Sequence, residues 1–367
     1  MIRLGVAAAL VDDEIVPGDV IIDGGVVDRV GAQPAGKGGL AAPGFIDLQV
    51  NGFGGHDFSS TDVAGYEAAG RALTATGVTA YQPTFISSPL ETYGPALDTA
   101  SEARRQVRAP RILGVHLEGP FLSPQWAGAH DRTHLIDPDL ELAQRWCDTG
   151  AVSYMTLAPE LPGGLELVRF LTDRGVIVAI GHTDADTATA HAAFDQGARA
   201  ITHIFNAHRR WSHRDTGPAG AALMRPAVTV HAIVDHIHLA PEATWMVAAA
   251  AGGRLALVTD AISAAGLGDG TYPLGGLSVH VWQGEARLGD GTLAGSVLTM
   301  DQAVRNLIDL GVSELGALHS ASRVPARLMG RPELGDLAPN TPADIVVLDD
   351  RFQVRRTIVD GDETFTR

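Results

Sequence analysis

What the chain lacks narrows its class before any motif is considered. It has a single cysteine, Cys147, which excludes an intrachain disulfide and suits a reducing cytoplasm. Cys147 falls in a helical-looking stretch and reads as a packing residue. Aromatic residues make up 5% of the sequence against 45% hydrophobic overall, so the core must be built from Ala, Val, Leu and Ile. No apolar run approaches the ~18–20 residues that a membrane-spanning helix requires. The first residues, Met1–Gly5, lack the basic region and apolar core of a secretory signal. Positive charge is scarce as well. The net charge of −16 argues against nonspecific nucleic-acid binding, and an anionic ligand would need a local basic site.

What is present has a strong pattern. The 367 residues are long for one ordinary domain but normal for a (β/α)₈ barrel with additions. From Pro43 to about residue 330, apolar strand-like runs alternate with Ala-rich helical runs. Eight runs read as strands: Phe45–Val50, Val78–Thr84, Ile112–Glu118, Ser153–Ala158, Val176–Gly181, Ala200–His203, Val228–Asp235 and Leu255–Asp260. Strands alternating with helices predict a parallel sheet, and eight such units predict a closed barrel.

The two ends of the chain differ from this middle. Val20–Val27 is an apolar run, a Gly-Gly turn and a second apolar run, which is hairpin chemistry. The Gly- and Ala-rich residues 31–41 read as a linker. Ala343–Leu348 and Val354–Val359 read as two more strands. Neither end buries much apolar surface alone, so residues 1–42 and 336–367 are expected to pair as one small β-domain around a barrel at 43–335. Residues 272–293 interrupt the helical pattern and read as a β-hairpin inserted after the eighth strand. Helices resume at about Ser296 and run through Arg327. The expected fold class is therefore α/β, a TIM-type barrel with a small β-domain formed by both chain termini.

The C-terminal ends of the eight runs carry polar residues: Gln49, Asn51, Gln82, Glu118, His182, His203, Asp235, His238 and Asp260. Polar groups gathered at one rim of an apolar barrel are hard to explain by stability and easy to explain as a site. Glu118, with His116 on its face two residues earlier, closes the third run. Glu118, His182 and His203 give one carboxylate and two imidazoles, a common ligand set for a catalytic divalent metal with a position left open for water. Asp260 ends the eighth run, where an ionised carboxylate is placed as general base. His236 and His238 form a rival chelating pair, although His238 fits substrate hydrogen bonding better. His130, in the loop after the Glu118 strand, is a candidate to polarise a carbonyl. His208–Arg214, just past Asn206, is the most basic stretch of an acidic chain, and Arg suits bidentate phosphate binding. Asp184 and Asp186 look like helix-start residues rather than a phosphatase pair. Gly266–Gly270 is not a dinucleotide loop, because no amphipathic helix follows it.

These residues resemble the N-acetylglucosamine-6-phosphate deacetylases of the amidohydrolase superfamily. The resemblance covers essentially the whole chain and rests on Pro43–Gly52, His116–Pro120, Gly181–Thr183, Thr202–Ala207, Val258–Ala261, Gly295–Met300 and Pro342–Ile345. It implies a metal held by Glu118, His182 and His203, with Asp260 as base and later acid. It implies that His130 polarises the acetyl carbonyl and that His238 contacts the sugar. Asn206, the Ala207 amide and Arg214 would bind phosphate, and Arg214 can come from the neighbouring subunit of a homodimer. Many relatives in the superfamily carry a His-x-His on the first strand and bind two metals. Here Gln49 and Asn51 stand at those positions, and neutral amides are poor ligands. One divalent ion per chain is therefore expected, zinc first, with iron or another ion accommodated. The loop His208–Ser212 is more basic than the family pattern. The implied reaction is hydrolysis of N-acetyl-D-glucosamine 6-phosphate to D-glucosamine 6-phosphate and acetate in a cytoplasmic enzyme without nucleic-acid or membrane partners. A related amidohydrolase acting on another N-acetylated amino sugar or a cyclic amide is the alternative. A catalytically silent sugar-phosphate-binding protein is a third reading, disfavoured by the intact Asp260.

Overall fold

The computed structural model describes Met1–Arg367, and at its centre is the parallel eight-stranded sheet. The strands are β1 (Phe45–Val50), β2 (Val78–Ile86), β3 (Val115–Glu118), β4 (Val152–Leu157), β5 (Ile177–Ile180), β6 (Ala200–Ile201), β7 (Thr229–Ala232) and β8 (Leu255–Leu257). Each pairs in parallel with the next. The ring closes at its rim. Val50 bridges Ala261, the Asp260 N–H donates to the Gln49 carbonyl at 2.9 Å, and the Asn51 N–H donates to the Ala261 carbonyl at 2.7 Å. Both faces of β1 and β2 are buried, including the polar residues Asp47, Gln49, Thr79, Gln82 and Thr84.

Three of the helices between the strands start on side-chain caps. Asp62, Asp139 and Asp186 precede Val63–Thr74, Leu140–Asp148 and Thr187–Asp195, and each accepts from the backbone N–H three residues on. Asp186 is thus the helix-start residue that its sequence context suggests. Asp184 has a different task and accepts from Trp126 Nε1 at 2.8 Å. Cys147 is half-buried on Leu140–Asp148, packed against the core. No helix is long and apolar enough to cross a membrane.

The terminal strands share a sheet. Leu40–Pro43 lies between Ala8–Val11, parallel to it, and Ile345–Leu348, antiparallel to it. Residues from both ends form an apolar cluster of 12 buried residues, including Leu4, Val20, Ile345 and Ile358, apart from the main cluster of 72. The ends thus share an apolar cluster of their own, while Leu10, Ala42, Val346, Leu348 and Val354 join the main one. Arg111 joins the layers, with Nε 2.6 Å from Oδ2 of the buried Asp344.

Several expectations need correction. β2 continues to Ile86, so Gln82 lies within the strand, donating to Ser153 Oγ at 2.7 Å, and is not at the rim. β7 ends at Ala232, so Asp235, His236 and His238 belong to the loop that follows. The insertion has three antiparallel strands, Gly270–Leu274, Leu277–Trp282 and Glu285–Arg287. The first is mostly exposed and carries little apolar signal. Regular helix resumes at Met300 and ends at Leu328. Residues 31–41 are not all linker, because a strand ends at Ala32 and another begins at Leu40.

Candidate active site

Glu118, the last residue of β3, is the centre of the rim. Its Oε1 lies 2.9 Å from His203 Nε2 and 3.2 Å from His182 Nε2, and the two Nε2 atoms are 3.1 Å apart. His182 and His203 each stand two residues beyond a strand with positive φ, 49° and 27°. Asp260, beyond β8, has φ 50°. Left-handed backbone is uncommon outside glycine, and its recurrence at three convergent side chains marks a place where geometry outranks local comfort. Gly295 makes room for this. A Cβ there would come within 2.8 Å of the Asp260 carbonyl oxygen.

The donor set fits a divalent metal. Two nitrogens and an oxygen face one another at 2.9–3.2 Å, somewhat closer than the roughly 3.3–3.6 Å between tetrahedral ligands about 2.0–2.2 Å from a common ion, so a slight opening seats one. The His182 tautomer agrees. His182 Nδ1 donates to the Trp126 carbonyl at 3.0 Å, which leaves the Nε2 lone pair free toward Glu118. Burial alone would push the Glu118 carboxyl up. The imidazoles of His130, His182 and His203 outweigh it and hold the group well below the usual range. Burial also pulls the His203 imidazole down, but the Glu118 carboxylate raises it further, for a net rise.

His130 is near enough to be confused with a ligand. Glu118, His130 and His182 present ligand atoms within 4.8 Å of one another. Its hydrogen bonds separate it from the set. His130 Nδ1 accepts the Ser87 N–H at 3.1 Å, so the proton of the neutral ring is on Nε2, 3.7 Å from Glu118 Oε2. Burial, aided by His182, lowers its pKa to about 4. The ring is neutral at pH 7 and presents a donor.

Asp260 Oδ1 accepts from Asn51 Nδ2 at 2.7 Å and Gln49 Nε2 at 3.2 Å, and Gln49 Nε2 also donates to Glu118 Oε1 at 2.9 Å. The first-strand amides therefore hold the two carboxylates and turn donor nitrogens toward them. Burial, followed by the Glu118 charge, pushes the Asp260 pKa up to about 6.

These groups open into a cavity of about 440 Å³ lined by Asn51, Glu118, His130, His182, His203, Asn206, Ala207, His238 and Asp260 among others. That volume suits a small ligand. His238 Nδ1 lies 2.7 Å from Asp235 Oδ2, which fixes the ring and leaves Nε2 for the cavity. His236 is exposed, so the proposed chelating pair does not form. The Ala207 N–H has no partner within the chain, whereas Asn206 Nδ2 is engaged by the His203 and Ile204 carbonyls at 3.3 and 3.2 Å. His116 shares the Glu118 face but lies deeper, between the Leu48 carbonyl and Thr156 Oγ1 at 3.1 and 2.8 Å.

The basic loop is less cationic than its sequence suggests. His208 is buried. Arg209 Nε pairs with Asp215 at 2.8 Å, and its Nη1 lies 3.6 Å from Asp184. Arg214 is exposed and does not line the cavity of its own chain. Sequence reasoning missed Trp126, Ile86, Leu274 and Arg287, which do. Arg287 comes from the insertion, and its Nε donates to Glu285 Oε2 at 2.8 Å. A lone cation in a short inserted strand was the only available signal.

Known proteins resemble this chain over nearly its whole length. An amidohydrolase family model matches residues 40–364. N-acetylglucosamine-6-phosphate deacetylase from Bos taurus is 40% identical over 350 residues, 91% of this chain and 86% of the relative. N-acetylgalactosamine-6-phosphate deacetylase from Escherichia coli O157:H7 is 37% identical over 332 residues, covering 88% and 87% of the two chains. Among solved structures, an aspartate-to-alanine mutant of N-acetyl-D-glucosamine-6-phosphate deacetylase from Mycobacterium smegmatis, in complex with N-acetyl-D-glucosamine-6-phosphate, superposes with a TM-score of 0.93 at 36% identity, covering 100% of this chain and 99% of that one.

Proposed function

Because the chain belongs to the amidohydrolase family, and within it to the N-acetylglucosamine-6-phosphate deacetylases, we propose that it hydrolyses N-acetyl-D-glucosamine 6-phosphate to D-glucosamine 6-phosphate and acetate. The observation that carries the reading is the convergence of Glu118, His182 and His203 beside Asp260 and His130 in one cavity. Glu118, His182 and His203 would hold one divalent ion, zinc in our reading, although two imidazoles and a carboxylate also accept iron. When bound, the ion supplies Lewis acidity.

The chain's own residues supply the rest. His130, neutral and protonated on Nε2, donates to the acetyl carbonyl oxygen and follows it as charge develops there. Asp260 takes a proton from the attacking water, then returns it to the amine nitrogen, which would otherwise leave as a poor anion. The Asn51 and Gln49 amides keep the Asp260 carboxylate oriented through both transfers. His238, fixed by Asp235, accepts from a sugar hydroxyl. The free Ala207 N–H faces the phosphate, and Asn206 shapes that turn. Arg214, exposed on its own chain, would complete the site of a second copy in a homodimer. The lone cysteine supports a cytoplasmic setting. The terminal stretches 1–42 and 336–367 act as one supporting β-domain for the barrel.

Acetate release should be measured with N-acetylglucosamine 6-phosphate, its galactosamine epimer and unphosphorylated N-acetylglucosamine, each with and without chelator. The expected order puts N-acetylglucosamine 6-phosphate first in kcat/KM and abolishes all turnover with chelator. Higher kcat/KM for the epimer or the unphosphorylated sugar would overturn the substrate assignment.

A further inference from the structure

His182 and His203 are not anchored alike. His182 Nδ1 is held by the Trp126 carbonyl, whereas His203 Nδ1 is buried with no hydrogen-bond partner. A histidine that binds a metal nearly always donates its other ring N–H to a fixed acceptor, which sets ring orientation and basicity. One nearby side chain has the complementary defect. His208 is 2% exposed, and neither of its ring nitrogens makes a well-formed hydrogen bond, the Thr202 backbone being only a weak contact. The His203 and His208 ring centroids are 6.0 Å apart with planes inclined at 36°. The rings make no direct hydrogen bond, and a water between them would give partners to nitrogens that otherwise lack them.

The backbone holds His208 there. It bridges Thr183, the Arg209 N–H donates to the Thr183 carbonyl at 2.9 Å, and the Thr183 N–H donates to the Ala207 carbonyl at 3.2 Å. The residue is therefore fixed to the segment that follows His182. Buried polar nitrogens grouped in this way are the setting in which internal water is retained.

We propose that His208 is a positioning residue for the metal, orienting His203 through a shared buried water that accepts from His203 Nδ1–H and donates to a ring nitrogen of His208. This rests on the reading of Glu118, His182 and His203 as the metal site. His208 reaches neither substrate nor ion. It acts on the ion through His203 alone.

The test uses holoenzyme loaded with Zn²⁺ and measures the Zn²⁺ dissociation constant by chelator competition, a readout independent of turnover. His208→Phe and His208→Met fill the space without offering a nitrogen. Each should weaken Zn²⁺ binding by about 10- to 100-fold, the usual effect of losing such a partner. His208→Gln, which keeps a donor and an acceptor, should stay within a few-fold of the parent. Met covers the case in which Phe does not fit. Zn²⁺ binding by Phe and Met variants within a few-fold of the parent overturns the proposal. A Gln variant as weak as Phe also overturns it, because packing alone would then account for the loss. A crystal structure of the parent should show a water within hydrogen-bond distance of both rings, and a dry interval between them contradicts the proposal regardless of how the variants fold. A parent that binds no Zn²⁺ sinks the metal assignment itself, which is a separate result.

Discussion

Replacing Asn51 with leucine removes one hydrogen bond and little volume. The Asn51 amide donates to Asp260 Oδ1 at 2.7 Å, the shorter of the two side-chain bonds that this oxygen accepts. Asp260 is 8% exposed, and burial together with the Glu118 charge already pushes its pKa up to about 6. A hydrogen bond to an ionised group contributes about 1.5–3 kcal/mol, and a pKa unit corresponds to about 1.4 kcal/mol. The amide stabilises the ionised form, so its loss must raise the Asp260 pKa, by about 1–2 units on these figures. A general base works only when ionised. The acid limb of the kcat/KM profile should therefore move up by about 1–2 pH units relative to the parent at the same metal loading, with activity recovering toward high pH. The assay is acetate release across about pH 5–9. If activity falls in Asn51→Leu while the acid limb stays in place, either Asp260 is not the titrating base or Asn51 does not hold it, and the argument from the 2.7 Å bond fails.

Other substitutions address separate parts of the site and fold. Asp260→Asn should retain metal and substrate binding while turnover falls by about 10²–10⁴, and turnover within a few-fold of the parent would remove Asp260 from the base role. Arg214→Ala should lower kcat/KM for the phosphorylated sugar by about 10- to 100-fold, from a charge-assisted contact of about 1.5–3 kcal/mol at about 1.4 kcal/mol per decade, with a much smaller loss for the unphosphorylated sugar. Equal losses on both substrates would mean a structural role. Mixed dimers of Arg214→Ala and Asp260→Asn chains should regain part of the activity if the arginine serves the neighbouring site, and no recovery after proven subunit exchange would place each site within one chain. Arg111→Met leaves the Asp344 carboxylate buried at 1% exposure and should destabilise the fold by roughly 3 kcal/mol, the lower end for breaking a buried pair. Denaturant unfolding measures it, and a change below about 1 kcal/mol would show that the terminal sheet does not depend on this link.

The barrel was legible because its strands are buried on both faces. Phe45–Val50, with Phe45, Ile46, Leu48 and Val50 around the buried Asp47 and Gln49, is bounded by Gly44 and the Asn51-Gly52 turn, and it folds as read. The same logic failed where burial is one-sided or absent, as at Gly270–Leu274, whose side chains mostly face solvent. Strand ends are less legible than strand existence, so the pattern puts Gln82 at a rim that lies beyond it and Asp235 on a strand that ends at Ala232. Glu118, His182 and His203 could be found as polar residues closing apolar runs. Their relations could not. The proton position on His130 depends on Ser87, 43 residues away, and Arg209, paired with Asp215, is also approached by Asp184, 25 residues away. Gln49 and Asn51 were readable as poor ligands, but not as the donors that hold Glu118 and Asp260. Arg287 entered the cavity through an insertion whose packing no local pattern revealed.

The insertion also shows how a barrel of this kind takes on specificity. β1–β8 fix the rim, and the loops decide what enters. Leu274 and Arg287 come from the inserted sheet, Trp126 from the loop after β3, and Ala207 from the turn after β6.

The central claim is that one divalent ion, held by Glu118, His182 and His203, is required for amide hydrolysis. Protein stripped of metal should be titrated with Zn²⁺ while acetate release from N-acetylglucosamine 6-phosphate is followed at each addition. Activity should rise linearly and reach its plateau at one equivalent per chain. Full activity without metal, or a rise that continues to two tightly held equivalents, would contradict it.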